Sequence, residues 1–257
     1  MWELYDKLIE GIPSDLVVEY YQIGVSWTLV RTQKYTGVAL TVKSRAHVPL
    51  YSGPIIGAPL CQIAACVKSW DFMEASLGMA AINCWYNTPA KVAALDGFSG
   101  LNLTDKSLES NVKKDAFRIL AEEAAGKRVA VIGRFPHLES QLAPVCQLSI
   151  LERNPEKGDY PDSACEYILP EQDMVFITGM TLINKTLPRL LTLAPPKSRV
   201  ILVGPSVPLT PILYPFGVTD LDGFCVTDPG KADQVIRRGN SADIFLSGKM
   251  VEIKSIS

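Results

Sequence analysis

The residues best placed to do chemistry fall in short loops that follow apolar runs. The richest is Phe176–Thr186, FITGMTLINKT, in which Thr178 and Gly179 end a strand-like run. Thr181 has the side chain of an N-cap for the helix expected to follow. Asn184 and Lys185 stand three and four residues later, with Thr186 beside them. Free N–H groups after Gly179, the positive end of a helix and a lysine ammonium would converge there. That combination suits a carboxylate or a developing oxyanion; a capped helix with a surface lysine is the alternative. GxxxxGK[ST] is not matched, so this is not a phosphate loop of the Walker type.

Three further loops have the same placement. In VIGRFPHLES, Gly133 permits a tight turn and a close ligand approach beside Arg134 and Phe135. The dinucleotide pattern GxGxxG fails there, because Phe135 and Leu138 occupy its second and third glycine positions. In LSILERNP, Glu152 lies nineteen residues after Gly133, near the ~20 at which such folds place an acid for ribose hydroxyls. Glu152 would hold a hydroxyl or a ring N–H; a solvated strand-end acid is the alternative. In LVGPSVPLTP, Gly204 and three prolines make a rigid wall that presents Ser206. A nucleophile elbow would read GxSxG, so Ser206 is a wall residue rather than a nucleophile. His137 is the candidate general base, with helix packing or simple exposure as the alternative.

These loops need a scaffold, and the chain supplies two kinds. Residues 2–10 read as a short helix closed by Gly11 and Pro13. Three β-like runs follow, 16–23, 27–32 and 37–42, with connections too short for parallel crossovers. Stretches 60–70 and 72–85 have helical spacing. Within EASLGMAAIN, Glu74 and Asn83 are candidates for the cleft, as is the Tyr35–Gly37 turn; packing or capping would suit the first two equally. A linker is expected over Asp96–Ser110, then a helix over Val112–Ala125 stopped by Gly126. From there strands at 128–132, 148–151, 174–178, 200–203 and 224–227 alternate with helices near 137–143, 181–194 and 230–238. Continuous apolar runs such as Val129–Ile132 fit strands buried on both faces of a parallel sheet. The fold class is therefore α/β: an α+β first domain (1–105) with a three-stranded antiparallel meander and helices, then a Rossmann-like parallel-sheet domain (106–257). In such a sheet, ligands bind outside the carboxyl ends of the strands.

Composition narrows the function classes. With 25 basic and 27 acidic side chains in 257 residues and no block of like charge, neither nucleic acid nor an anionic membrane is an expected partner. The N-terminus lacks a secretion signal and no apolar run is long enough to span a bilayer, so a cytoplasmic location is expected. The six cysteines and two histidines show none of the usual zinc spacings, and no metal ligand is assigned.

The segments IGVSWTLV, TGVALTV, EASLGMAAIN, VIGRFPHLE, LSILERNPEKGDYP, TGMTLINKT and GPSVPLTP together resemble the heavy-metal chelation family, a family of unknown function. The resemblance covers nearly the whole chain in order. It implies an enolase-N-terminal-like cap on a methyltransferase-like Rossmann core, with the active site between them. It also implies the making or handling of metal-chelating small molecules: pterin-, flavin- or siderophore-like compounds, with a suggested link to anaerobic corrinoid synthesis. Enolase chemistry is not implied, since its catalytic barrel is absent. The leading expectation is an enzyme that condenses, hydrolyses or transfers a group on a small anionic chelator. The alternatives are a non-catalytic carrier of a metal–chelator complex and a methyltransferase using S-adenosylmethionine. The cofactor is unassigned, and a homo-oligomer stays open.

Overall fold

A computed structural model describes residues 2–43, 47–95 and 116–255. The expected linker, the start of the helix after it and the boundary at residue 105 lie outside the described residues.

The first half opens with α1 (Glu3–Glu10), which buries Leu4, Tyr5 and Leu8. Strands β1 (Tyr20–Ile23), β2 (Trp27–Arg31) and β3 (Thr36–Leu40) form the antiparallel meander in the order β1-β2-β3. Helix α2 (Leu60–Ala65) tightens into a 3₁₀ turn at Cys66–Lys68, so the expected helix over 60–70 stops early. Helix α3 (Phe72–Tyr86) is capped by the Asp71 carboxylate, which accepts from the Glu74 N–H at 3.0 Å. It is buried on nearly every face, which explains its run of Ala, Gly, Leu and Met. A short α4 (Pro89–Ala93) follows.

The second half begins with α5 (Ala116–Ile119) and α6 (Ala121–Ala124). Next come β4 (Arg128–Ile132), α7 (Leu138–Leu142), β5 (Gln147–Glu152), a two-residue β6 (Tyr160–Pro161) and α8 (Cys165–Ile168). Then β7 (Met174–Thr178), α9 (Met180–Ile183), α10 (Leu187–Leu193), β8 (Arg199–Val203), β9 (Asp220–Val226), α11 (Pro229–Arg238) and β10 (Gly248–Lys254) complete the fold. The seven-stranded sheet runs β10-β9-β8-β7-β4-β5-β6, and only β10 is antiparallel to its neighbour. Alternate residues of β4 enter different cores. Val129 and Val131 face Phe117, Leu120, Leu138 and Leu142, whereas Ala130 and Ile132 join a core continuous with Leu8, Ile63 and Met79 of the first half.

Two expectations fail near the site. The helix expected over 181–194 is two helices, because Lys185 adopts a left-handed φ of 65° between them. Thr181 is not an N-cap: the helix starts one residue earlier from Gly179, and the Thr181 hydroxyl donates back to the Thr178 carbonyl at 2.7 Å. The threonine lies two residues past the cap position, and its hydroxyl is spent on that carbonyl.

The halves are joined by buried polar groups. The Asn87 amide donates to the carbonyls of Val207 (2.8 Å) and Phe224 (3.1 Å) and accepts from the Leu209 N–H (2.7 Å). The Asn83 amide donates to Val38 (2.9 Å) and Pro205 (3.2 Å), and the Leu40 N–H donates to the Ser206 hydroxyl at 2.9 Å. Tyr5 donates to the Leu182 carbonyl at 3.0 Å. Together they fix the 205–209 loop, and with it the strand ends, against β3 and α3.

Candidate functional site

The order of strands reverses between β4 and β7, and it is outside the carboxyl ends at such a switch point that open parallel sheets bind their ligands. A cleft of about 720 Å³ opens there. The loop glycines make it possible. The N–H of Gly133 donates to Leu151, continuing the sheet ladder, while a φ of 101° turns the chain away. A side chain at Gly133 would also meet the Thr178 methyl at 2.9 Å.

Eight of the residues singled out in the sequence line this cleft: Gly133, Arg134, Glu152, Thr178, Thr181, Asn184, Lys185 and Thr186. Val42, Lys43 and Phe72 reach it from the first half. The remaining candidates lie elsewhere. Asn83 and Ser206 are buried in the seam between the halves. Gly37 lies against the backbone of α3, and Gly179 against the backbone of residues 206–207. Gly204 turns the chain after β8 with a φ of 107°. Phe135 packs on Phe117, with ring centroids 5.0 Å apart. His137 is exposed and left-handed (φ 62°) at the start of α7, outside the cleft lining. Its position does not support a general base at this site.

Glu74 is buried behind the cleft rather than in it. Its carboxylate accepts from the N–H groups of Leu50 and Tyr51, both at 2.7 Å, and so holds the loop after β3. Glu152 has a similar task within the cleft wall. It accepts from the N–H of Arg134 (3.0 Å), Arg153 (2.7 Å) and Asn154 (3.3 Å), which ties the β4 loop to the β5 loop.

The sequence reading missed Lys43, Arg153, Asn154 and Arg189 as cleft residues. Arg153 and Asn154 directly follow Glu152 at a strand end, and that position was the available signal. Lys43 had none, because its approach depends on how the halves meet; Arg189 had none, because its approach depends on how α10 packs beside α8 within the second half. Each cleft arginine is paired: Arg134 with Asp159 at 2.8 Å, Arg153 with Asp162 at 3.3 Å, and Arg189 with Glu166 at 2.5 Å. Lys43 and Lys185 have no carboxylate within ion-pair distance among the described residues.

Lys185 is the most perturbed of these groups. Its ammonium donates to the carbonyls of Ser69 and Ile183 (2.7 Å to the latter). It lies 5.0 Å from the Phe72 ring centre and 5.6 Å from that of Trp70. Burial pushes its pKa down to about 8, against the opposing pull of the Glu74 and Asp71 carboxylates. The folded protein therefore releases this proton before the unfolded chain does, and stability should rise with pH between about 8 and the ordinary 10.5. Denaturant melts of wild type and Lys185→Met isolate the contribution, since other groups cancel in the difference. The wild-type-minus-variant stability should be flat below pH 8 and climb up to about pH 10.5; a flat difference throughout would refute the burial of this charge.

Among the described residues no group of three or more His, Cys, Asp or Glu side chains stands together as a metal site. Burial also pushes the thiols of Cys66, Cys84 and Cys225 up to about 12 and that of Cys165, at the cleft, to about 11. These donors do not fit a metal held by the protein's own side chains. No helix among the described residues is long and apolar enough to cross a membrane.

The same architecture occurs in solved relatives. A crystal structure of a protein of unknown function from Desulfitobacterium hafniense superposes with a TM-score of 0.87 at 40% identity, covering 99% of both chains. One from Pyrococcus horikoshii, at 23% identity, shares the fold with a TM-score of 0.78 over 98% of both chains. An uncharacterized protein of Methanocaldococcus jannaschii is 29% identical over 183 residues, 69% of this chain and 64% of that protein's own length. Two family profiles, each described as "Putative heavy-metal chelation", match residues 5–86 and 115–254. On those matches, spread over both halves, the chain belongs to that heavy-metal chelation family.

Proposed function

We propose that the chain binds and transforms a small anionic, chelator-type molecule, pterin-, flavin- or siderophore-like, in the cleft at the β4–β7 switch point. One observation carries this reading: two lysines, Lys43 from the first half and Lys185 from the second, line the cleft without carboxylate partners among the described residues. The side-chain amides of Asn154 and Asn184 offer N–H donors to the ligand's oxygen or ring nitrogen atoms, and the Thr186 hydroxyl, whose hydrogen is spent on Asn184, offers an acceptor. A metal in this scheme arrives as part of the ligand, since the described residues bring no group of three or more His, Cys, Asp or Glu side chains together to hold one.

Calorimetry with 2,3-dihydroxybenzoate and pterin-6-carboxylate tests the site. Binding of at least one is expected, and Lys43→Ala should weaken it by about ten- to a hundred-fold, the loss of one charge-assisted hydrogen bond. Unchanged affinity in Lys43→Ala would remove the cleft from consideration.

A second reading is carriage of the chelator without turnover. It is favoured by Glu152, the cleft acid nearest the switch point, whose carboxylate is already held by three backbone N–H groups. Mass spectrometry of the ligand that accompanies the purified protein, before and after prolonged incubation, separates the two. An unaltered ligand fits a carrier, and an altered one an enzyme.

A further inference from the structure

We propose that Lys185 is a nucleophile whose amine condenses with the carbonyl group of a small anionic aldehyde or 2-oxo acid in the cleft. This rests on the reading of the cleft as an anion site and names the substrate class it would take.

The arrangement around the nitrogen carries the argument. A neutral amine has two N–H donors and one lone pair. Two acceptors, the carbonyls of Ser69 and Ile183, stand within hydrogen-bond reach of Lys185 Nζ, enough to satisfy both donors and leave the lone pair unengaged. Aromatic faces of Phe72 and Trp70 border the group, and Phe72 itself lines the cleft. Among the described residues no carboxylate stands at ion-pair distance to hold it as an ammonium: Glu74 is committed to the Leu50 and Tyr51 N–H groups, and Asp71 caps α3. This is the environment in which lysine serves as a nucleophile, desolvated among apolar groups. Its lowered pKa agrees with that role.

The backbone points the same way. A left-handed lysine is uncommon and costs conformational energy, and such outliers cluster at functional sites. Here it interrupts what would be one helix and delivers the side chain to the entry of α3. Asn184 stabilises the break by accepting from the Thr186 N–H (3.1 Å) and hydroxyl (2.7 Å).

The reaction is balanced within the two partners. The amine nitrogen attacks the carbonyl carbon, and its two hydrogens leave with the carbonyl oxygen as water. A C=N bond replaces C=O, and no outside oxidant or reductant takes part. Lys43, also lining the cleft, would hold the substrate carboxylate.

Glyoxylate with cyanoborohydride tests this on the intact protein, because reduction makes any imine permanent and mappable by peptide mass spectrometry. Lys185 should be labelled at least about tenfold faster than exposed Lys127 at pH 7, given its larger share of free amine. Excess 2,3-dihydroxybenzoate should protect Lys185 and leave Lys127 unprotected. In Lys185→Arg, which keeps the cation and its donors, glyoxylate should still bind by calorimetry without rapid labelling of the cleft. Labelling of Lys185 no faster than Lys127 overturns the proposal. If glyoxylate then still binds in the cleft, the anion site stands without the nucleophile; if it does not bind, both readings fall.

Discussion

Gly37→Ala should lower the stability of the protein by about 3 kcal/mol or more, the upper range for forcing extra atoms into a packed interior. A Cβ on Gly37 would stand 2.0 Å from the Cys84 nitrogen, 2.4 Å from the Ala80 carbonyl oxygen and 2.5 Å from the Asn83 carbonyl carbon. All three are backbone atoms of α3, so no side-chain rotation can make room. Strand and helix must separate, and the meander would lift from the core that α3 shares with the large sheet. For a chain of this length such a loss lowers Tm by about 6–12 °C. Differential scanning calorimetry decides the matter. Gly217→Ala is the contrast: its Cβ would meet no atom within 4 Å, and only the left-handed φ of 99° would cost. A Gly37→Ala protein melting within 2 °C of wild type would mean that β3 does not lie directly on α3.

Asn87→Ala should be nearly as damaging, for a different reason. One side chain satisfies three buried backbone groups, the carbonyls of Val207 and Phe224 and the N–H of Leu209. Each buried group left without a partner costs about 1–3 kcal/mol. Relaxation and entry of water reduce the sum, so about 3 kcal/mol is expected for the variant. Asn83→Ala should cost less, about 2 kcal/mol, because it frees only two carbonyls and its own side-chain oxygen is already buried without a partner. Equilibrium urea unfolding of the two variants reads the order directly. Equal costs, or a larger one at Asn83, would contradict the three-bond account of Asn87.

The strands of the large sheet were legible because runs such as Val129–Ile132 and Met174–Ile177 are continuously apolar and too short for a buried helix like α3, which leaves strands buried on both faces. Strand β10 was missed. Its sequence, GKMVEIK, is interrupted by charge at Lys249, Glu252 and Lys254, as befits an edge strand, and its antiparallel place departs from the β-α rhythm. The helix break at Lys185 had one signal that the reading passed over: Pro188, three residues on, sits in the first turn of α10, where proline is favoured, and not inside a continuous helix. Of the residues that line the cleft, the strand-end rule had pointed to Gly133, Glu152 and most of the 178–186 loop. It could not tell a polar residue that meets a ligand from one that satisfies buried backbone. Asn83, Ser206 and Glu74 belong to the second kind, and the two tasks call for the same side chains. Lys43 and Arg189 escaped because their place depends on tertiary docking.

The asparagine seam also bears on how the chain is made. Asn87 bonds groups 120 to 137 positions further along, and Tyr5 reaches Leu182, 177 positions away. Such pairings of distant segments are slow to form. During synthesis, which runs from the N-terminus, the first half emerges with its amides facing carbonyls that do not yet exist. It must wait on the ribosome, with the upper end of α3 unsealed, until the polypeptide has passed Phe224. Chaperone dependence should therefore be greatest for nascent chains stalled between Tyr86 and Phe224, and should fall once β9 has left the exit tunnel.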